Sequence, residues 1–270
     1  MANTQDAGIA KGPQAAEAHV EARDLTMAFG DYVLQRDLNF TINRGDIFII
    51  MGGSGCGKTT LMHHIVGLRQ PAVGQILLNG VSLWDAAPEE RDRMLHRMGV
   101  SYQSGALWSS MTLAENVALP LGEFTDLTRS EIAELVSLKL ALVGLTGFED
   151  YYPSEISGGM QKRAGLARAI ALDPEIVFLD EPSAGLAPLS GRRLDDLLLE
   201  LRDNFGMTVV MVTHELSSIF AVGNNSVFLD ARSKTQIAAG NPSELRDHCE
   251  VDLVRAFLTR GTIEQAPGEL

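Results

Sequence analysis

A glycine-rich stretch holds the residues with the most evident chemistry. Residues 52–59 read GGSGCGKT and fit a phosphate-binding loop at every fixed position. Glycines let backbone N–H groups curl around phosphate oxygens, Lys58 would neutralise the β- and γ-phosphates, and the Thr59 hydroxyl suits Mg²⁺. We expect the backbone of Cys56 to bind, rather than its thiol. The predicted nucleotide-binding residues are Gly52, Gly53, Ser54, Gly55, Cys56, Gly57, Lys58, Thr59 and Thr60.

A second motif, the acidic pair Asp180-Glu181, lies at the end of the apolar run EIVFLD. Acidic residues at the carboxyl end of a parallel strand lie where such sheets bind ligands. Asp180 would hold Mg²⁺ through water, and Glu181 could polarise an attacking water. Alone the pair is a weak signal, because a helix N-terminus also favours acids. Together with the phosphate-binding loop it indicates nucleotide hydrolysis.

A third motif is ISGGMQKRA, residues 156–164, in which Ser157, Gly158 and Gly159 open an alanine-rich helix. It has the donors and the helix dipole of an anion site, but not the lysine of the first loop. It is therefore suited to completing a phosphate site rather than building one. The alternative is a serine N-cap whose glycines ease a turn.

The elements that must position these motifs follow from periodicity. Short β-like runs dominate from His19 to Asp85, and Asn79-Gly80 between apolar runs predicts a hairpin turn. After residues 98–103 the patterns become helical, which indicates a small inserted helical subdomain. Beyond Ser157 the β/α alternation returns, and its continuous apolar strands predict a parallel sheet buried on both faces.

Composition limits the partners. The chain has 270 residues, a net charge of −13 and two widely separated cysteines. The acidic balance opposes binding to nucleic acid, and the cysteines give no disulfide framework, which favours a reduced compartment. No apolar run is long enough to cross a bilayer, so we expect any membrane role to come through a partner.

Taken together, the motifs resemble those of the ATP-binding subunit of an ABC transporter, from about Val20 to Arg260. The glycine loop is similar to the Walker A motif, IVFLDE to Walker B and ISGGMQKRA to the signature. The resemblance implies a P-loop NTPase fold of class α/β, an ABC-type nucleotide-binding domain with an antiparallel β-layer and an inserted helical subdomain. Composition predicts a disordered leader at residues 1–18 and a flexible tail at 261–270. The ATPase domain is then expected at 19–260, with its helical subdomain at about 104–172.

The resemblance also implies site roles. Lys58, Glu181 and the switch histidine His214 would be catalytic. Gln103, matching the Q-loop glutamine, would ligate Mg²⁺ with Thr59 and Asp180. Two aromatic residues, Phe29 and Tyr32, remain open candidates for stacking on adenine. In this family two subunits close head to tail, so the signature would meet the ATP of the partner subunit. The signature residues concerned are Ser157, Gly158, Gly159 and Gln161.

One departure from the family pattern concerns the segment after Glu181. The family usually reads Leu-Asp-Pro where this chain reads Leu186-Ala187-Pro188. The aspartate normally helps couple the two ATP sites across the dimer. We expect hydrolysis to survive with Ala187, because the catalytic residues are intact, and communication between the sites to be weaker.

The segment QSGALWSSMTLAENVALPL, residues 103–121, resembles the ATPases of MCE-associated lipid importers. That group implies a homodimer on the cytoplasmic face of a bacterial inner membrane, bound to an integral permease and, through the complex, to an MCE-type lipid-binding protein. An amphiphile exporter is the closest alternative, and a soluble non-transport ABC ATPase is a more distant one. Apolar residues of the segment fit a surface that docks the permease: Ala106, Leu107, Trp108 and Met111.

Overall fold

The computed structural model of the protein describes residues 17–103 and 105–260. The first strand, β1, begins at Ala18, one residue inside the predicted leader. The reason is backbone pairing, since Ala18 faces Asn43 and the N–H of Arg44 donates to the carbonyl of Glu17 at 2.9 Å. Residues 1–16 of that leader, the predicted tail at 261–270 and Ser104 lie outside the described residues.

A six-stranded sheet forms the centre of the molecule, in the order β10-β9-β3-β8-β7-β6. Five of its strands are parallel and β10 is antiparallel to β9. The middle strands β3, β7 and β8 are buried along their whole length, as their continuous apolar runs predict. The strands are β3 (Ile47–Gly52), β6 (Met98–Ser101), β7 (Ile176–Asp180), β8 (Thr208–Val212), β9 (Asn225–Asp230) and β10 (Thr235–Ala239).

A second, antiparallel sheet has the order β2-β1-β4-β5. The hairpin predicted at Asn79-Gly80 is confirmed: it joins β4 to β5, and both turn residues have positive φ, 50° and 79°. This sheet is the predicted antiparallel β-layer. Its strands are β1 (Ala18–Phe29), β2 (Tyr32–Asn43), β4 (Val73–Leu78) and β5 (Val81–Ser82).

Nine α-helices and one short 3₁₀ turn (Pro153–Glu155) accompany the sheets in the described ranges. Within those ranges no helix is both long enough and apolar enough to cross a bilayer. The helices are α1 (Lys58–Ile65), α2 (Pro88–Leu95), α3 (Leu113–Phe124), α4 (Arg129–Leu142), α5 (Gly158–Ala169), α6 (Pro188–Phe205), α7 (Leu216–Val222), α8 (Pro242–His248) and α9 (Asp252–Thr259).

Alternation along the central strands divides the apolar interior into two cores. Ile49 and Met211 face a core shared with α3–α7 and α9, whereas Ile50 and Val210 face a core shared with α1 and the antiparallel sheet. Burial of both faces accounts for the stability of the parallel sheet, since apolar area removed from water is the main favourable contribution to folding. The α/β class and the two-layer arrangement are as predicted.

The sheet register brings three strand ends together. Val212 at the end of β8 pairs with Asp180 of β7 on one side and with Ile50 of β3 on the other. The segments that follow β3, β7 and β8 therefore leave the same edge of the sheet side by side. This edge is where open α/β sheets bind their ligands.

Candidate nucleotide site

The loop between β3 and α1 depends on its glycines. Gly52 has φ +143°, and a Cβ there would lie 2.3 Å from the carbonyl oxygen of Leu229. Gly57 has φ +98°, and its Cβ would lie 2.8 Å from a methyl carbon of Leu34. Both positions disfavour a side chain on conformation, and at Gly52 the backbone oxygen of Leu229 excludes one on space as well. The thiol of Cys56 is buried, and burial raises its pKa, so only its backbone belongs to the loop surface.

The same loop is open on its outer side. Within the described residues, no heavy atom lies within 4 Å of a Cβ built on Gly53 or Gly55. Helix α1 then begins at Lys58 without a side-chain cap on its first N–H groups and without an acidic residue in its first turn. The Lys58 ammonium donates to the carbonyls of Gly52 and Gly53, both at 3.0 Å. This is a positive cradle lined by backbone donors, which suits a phosphate chain.

Thr59 and Asp180 bring oxygen ligands to the edge of the cradle. The Thr59 hydroxyl donates to the two carboxylate oxygens of Asp180 at 3.3 and 3.2 Å. Burial raises the pKa of Asp180, and the Glu181 carboxylate adds to that rise. A cation bound here would favour the ionised carboxylate. The donor set, a hydroxyl and a carboxylate beside a phosphate cradle, fits Mg²⁺.

The predicted third metal ligand, Gln103, is exposed in the turn after β6. That strand pairs with β7 through Ser101 and Leu179, so Gln103 extends from the strand next to the one that carries Asp180. It therefore leaves the sheet near the ligand edge. Metal binding by Gln103 stays a prediction.

Glu181 and His214 form a direct pair. Their Oε1 and Nδ1 atoms lie 2.8 Å apart, a distance at which an N–H at Nδ1 would donate to the carboxylate. Glu181 has φ +49°, an unfavourable region for a side chain with a Cβ, and its N–H donates to the carbonyl of Val212 at 2.8 Å. Its second oxygen, Oε2, is buried and accepts no hydrogen bond from the described part of the chain. A buried carboxylate oxygen with spare acceptor capacity suits a water nucleophile.

The signature residues occupy a different place. Ser157 is the N-cap of α5, and its hydroxyl accepts from the N–H of Met160 at 3.3 Å. The N-cap interpretation of this serine is therefore confirmed, and the cap leaves the hydroxyl exposed to a further partner. Gln161 donates its side-chain amide to the carbonyl of Pro153 at 2.8 Å, within its own subunit. Its predicted contact with nucleotide stays a prediction.

A polar cavity of about 230 Å³ lies at the signature, between α5 and α6. Among the described residues its lining is confined to these two segments, and none comes from the glycine loop. The structure thus brings together the glycine loop, Asp180, Glu181 and His214, and leaves the signature in a separate cavity. The lining residues are Ser157, Gly159, Met160, Arg163, Ser190 and Arg193.

The two aromatic candidates sit opposite each other where β1 turns into β2. Phe29 and Tyr32 pair in register and both are exposed. The guanidinium of Arg69 lies 4.2 Å from the Phe29 ring centroid, and the ammonium of Lys234 lies 4.6 Å from that of Tyr32. Either ring has a face that could stack on a base, so both remain candidates.

Comparison with known proteins identifies the family. The sequence profile described as "ABC transporter" matches residues 35–184. The chain belongs to the ABC transporter family. Among curated relatives, the probable ribonucleotide transport ATP-binding protein mkl of Mycobacterium tuberculosis is 37% identical over 239 residues, 88% of this chain. The chain spans about two thirds (66%) of the length of mkl.

A second relative matches along nearly its whole length. The intermembrane phospholipid transport system ATP-binding protein MlaF of Escherichia coli K12 is 37% identical, with 88% of each chain covered. Among solved structures, CbiO1 of Clostridium perfringens superposes with a TM-score of 0.78 at 25% identity, covering 87% of this chain and 92% of CbiO1. A dimeric ATP-binding cassette bound to ADP and Pi gives a TM-score of 0.73 at 27% identity, covering 82% and 98%. The fold class is therefore confirmed.

Ala187 occupies the position at which many ABC proteins carry an aspartate. It is the exposed N-cap of α6, and the helix has no side-chain cap, only Pro188 in its first turn. An alanine offers no hydrogen bond at this position, and a proline is well tolerated at the first helical residue. The start of α6 is thus held by backbone geometry alone.

A groove of about 750 Å³ opens beside the helical subdomain of this ABC protein. Of the residues expected to dock a permease, Trp108 lines this groove, and Leu107 is partly buried and packs on the core. Contact of Ala106, Leu107, Trp108 and Met111 with a permease stays a prediction. Exposed apolar side chains that sequence analysis did not single out complete the groove: Leu119 and Phe124, from α3.

Sequence analysis also missed two residues that hold the site. Gln35 of β2 is fully buried and donates its amide to the carbonyls of Cys56 and Asp230 at 2.8 and 3.0 Å, which supports the glycine loop from below. A polar residue at a core position of an alternating strand was the available signal. Lys162 of α5 contacts the backbone at Glu181 and Ala184. No sequence signal marked this contact.

Proposed function

We propose that this protein is the ATP-hydrolysing subunit of an ABC transporter, that it works as a homodimer, and that it powers phospholipid transport between or across bacterial membranes. The observation that carries hydrolysis is the Glu181–His214 pair, which follows β7 and β8 at the same sheet edge as the glycine loop and leaves the buried Oε2 without a hydrogen bond from the described residues. Hydrolysis needs an acceptor for the proton of water within reach of a bound γ-phosphate.

A small set of residues carries out the steps of the proposed ATP hydrolysis. The glycine loop and the Lys58 ammonium bind the phosphate chain, and the ammonium stabilises the negative charge that builds up during transfer. The Oε2 atom of Glu181 accepts a hydrogen bond from the attacking water, and His214 fixes the orientation of that carboxylate through Oε1. Thr59 and Asp180, with Gln103, would hold Mg²⁺, which when bound neutralises charge on the β- and γ-phosphates.

The separate cavity at the signature supports a dimer. It carries the exposed Ser157 hydroxyl, the first turn of α5 and two arginines, Arg163 and Arg193, yet among the described residues its lining includes neither the glycine loop nor a carboxylate. Such a site completes a phosphate pocket that a second subunit supplies. A head-to-tail pair would place each signature against the ATP of the other subunit, as the dimeric relative bound to ADP and Pi allows.

The groove beside the helical subdomain is the proposed contact with an integral permease. Its exposed Trp108, Leu119 and Phe124 provide apolar area, and His96 packs edge-on against Phe124 with ring centroids 4.7 Å apart. Exposed apolar clusters of this kind mark interaction surfaces. Through the permease the subunit would lie on the cytoplasmic face of a bacterial inner membrane and work with an MCE-type lipid-binding protein. Nucleic acid is not a proposed partner, given the net charge of −13.

The proposed lipid cargo is supported by the identity to MlaF and by the resemblance of residues 103–121 to lipid-importer ATPases. MlaF, mkl and an iron-import protein, FbpC, are all 37% identical to this chain. The match covers 88% of MlaF, 66% of mkl and 63% of FbpC. Because identity does not separate these three relatives, the resemblance of residues 103–121 to lipid-importer ATPases is what favours phospholipid as the cargo.

The substitution Glu181→Gln tests the hydrolytic role. Because the amide cannot accept the proton of water, turnover should fall at least about 100-fold while ATP binding persists. The variant should then accumulate as an ATP-bound dimer, visible by size-exclusion chromatography with light scattering. Glu134→Gln, the same change on the exposed face of α4, is the matched control and should behave as wild type. A Glu181→Gln variant that stays monomeric with ATP, even beside its permease, contradicts the proposal.

The cargo is tested separately. The subunit should co-purify from detergent-extracted membranes with a multi-span permease. In proteoliposomes that complex should move a fluorescent phospholipid when ATP is supplied, and the Glu181→Gln complex should not. Recovery with a soluble partner or nucleic acid and no permease would contradict a transport role, and ATP-driven movement of iron or nucleotides without lipid would contradict the cargo.

A further inference from the structure

The short turn after β7 is conformationally demanding. Glu181 has φ +49°, and the turn closes when the N–H of Ala184 donates to the Glu181 carbonyl at 3.3 Å. A left-handed φ at a residue with a Cβ costs free energy and persists only where neighbouring contacts determine it. Because this turn sets the direction of the Glu181 carboxylate, the groups that hold it affect the site directly.

One of those groups is the side chain of Lys162. Its ammonium donates to the carbonyl oxygen of Glu181 at 3.1 Å and also to that of Ala184, so it bridges both ends of the turn. The side chain is half-buried, burial lowers the pKa of its ammonium, and the Glu181 carboxylate opposes that change. Hydrogen bonds from a charged donor are stronger than neutral ones, particularly where water is excluded.

Lys162 also belongs to the signature helix. It lies in α5, five residues after the N-cap Ser157. At 1.5 Å per residue the two positions are about 7.5 Å apart along the axis, so they move as one rigid element. A displacement at the start of α5 therefore has a direct path to the turn through the hydrogen bonds of Lys162.

We propose that Lys162 is a positioning residue that links the signature helix to the catalytic glutamate of the same subunit. When Ser157 engages the ATP held by the partner subunit, the Lys162 ammonium moves with α5 and fixes the turn that orients Glu181. Each subunit thereby adjusts its own site to the nucleotide state of the other. The inference rests on the proposed function. It provides a physical connection between the two ATP sites of the dimer in a chain whose Ala187 offers no side-chain hydrogen bond.

A second contact holds the turn independently of Lys162. The Ser218 hydroxyl of α7 bonds to the carboxylate of Asp195 at 3.0 Å and to the hydroxyl of Ser183 at 3.4 Å, all three residues being buried. This network ties the middle of the turn to α6 and α7. The turn should therefore stay folded when the ammonium is removed, and only its coupling to α5 should be lost.

The first test replaces the ammonium and keeps the apolar stem. In the full-length protein, Lys162→Met should lower kcat about tenfold with KM for ATP unchanged, since the glycine loop is untouched. Lys162→Arg, which can donate to both carbonyls, should retain most of the rate. Arg129→Gln, at the exposed start of α4, removes the same charge and should leave kcat as in wild type. A Lys162→Met enzyme with wild-type kcat, or one in which only KM changes, overturns the inference.

The second test asks whether Lys162 and Ser157 act in series. If they do, Ser157→Ala and Lys162→Met together should lower kcat little more than the larger single effect, about tenfold. Independent roles predict that the two effects multiply to about a hundredfold, which overturns the inference. Unfolding of Lys162→Met, measured by thermal melting, would also overturn it by giving the residue a structural role. Wild-type protein that hydrolyses ATP fully as a monomer would instead contradict the proposed function.

Discussion

Helix α1 starts at the glycine loop and helix α5 starts at the signature. The two helices differ in how the free N–H groups of their first turns are satisfied. Helices α1 and α5 both begin next to glycine, and neither has an acidic residue in its first turn. The N-cap of α1 is Gly57, in the left-handed region and without a side-chain cap, whereas Ser157 caps α5. The first helix thus leaves all its free N–H groups to a ligand, and the second satisfies one of them internally.

The helices of the inserted subdomain show what the first turn looks like when no anion is expected. Both α3 and α4 begin with a complete capping box, in which Thr112 pairs with Glu115 and Thr128 with Glu131. A glutamate in the first turn stabilises a helix but repels phosphate. Helices α1 and α5 have no such acid to repel a phosphate, a property that they share with α6 and α7 and that permits an anion site without proving one.

The two helix starts also place their lysines differently. Lys58 opens α1 and stays beside the loop carbonyls, where it can move onto a phosphate. The lysine of α5, Lys162, points back to its own subunit at Glu181 and Ala184. The glycine loop is therefore equipped to bind ATP by itself, and the signature is equipped to respond to one already bound.

The largest expected effect comes from removing the lysine of the glycine loop. Lys58→Ala deletes the cation beside the phosphates, so ATP binding should weaken and kcat/KM should fall at least about 100-fold. Binding of a fluorescent ATP analogue and steady-state phosphate release measure the two quantities. Arg129→Ala removes a positive charge from an exposed position and serves as control. Undiminished nucleotide binding by Lys58→Ala would remove the distinction between the two helix starts.

The equivalent change at the signature should act on a different quantity. Ser157→Ala should lower kcat of the dimer about tenfold, yet leave nucleotide binding by the separate subunit unchanged, because Ser157 lies outside the cradle. Loss of the N-cap should also cost about 1 kcal/mol of unfolding free energy, or about 2–4 °C in Tm. Equilibrium nucleotide binding, measured at protein concentrations too low for the dimer to form, separates the effect on the single subunit from the effect on the dimer. Weaker ATP binding by the monomer would show that the signature belongs to the cradle of its own subunit.

Much of this comparison was available from the sequence. The spacing from Gly52 to Thr59 and the acidic end of β7 predicted the site, because short motifs next to apolar strands fix both the backbone and its neighbours. The hairpin at Asn79-Gly80 and the parallel sheet followed from local patterns in the same way. The ligand edge then follows from the sheet register alone.

Contacts between distant segments were not available. Gln35 reaches Asp230, and Lys162 reaches the turn at Glu181, through side chains whose partners no local pattern specifies. The positive φ of Glu181 is imposed by tertiary contacts and contradicts the preference of its residue type. Leu119 and Phe124 were missed for the same reason, since which side chains line the groove depends on how the surrounding elements pack.

The smallest expected effect concerns a cap that serves stability alone. Thr128→Ala removes the N-cap of α4, whose hydroxyl accepts from the N–H of Glu131 at 3.4 Å. Unfolding free energy should fall by about 1 kcal/mol, similar to Ser157→Ala, while kcat and nucleotide binding remain those of the wild type. Thermal melting and steady-state ATPase assays on the two variants form a matched pair. Equal losses of kcat in both would mean that Ser157 acts through helix stability and not through a phosphate, and the proposed difference between the two kinds of helix start would fail.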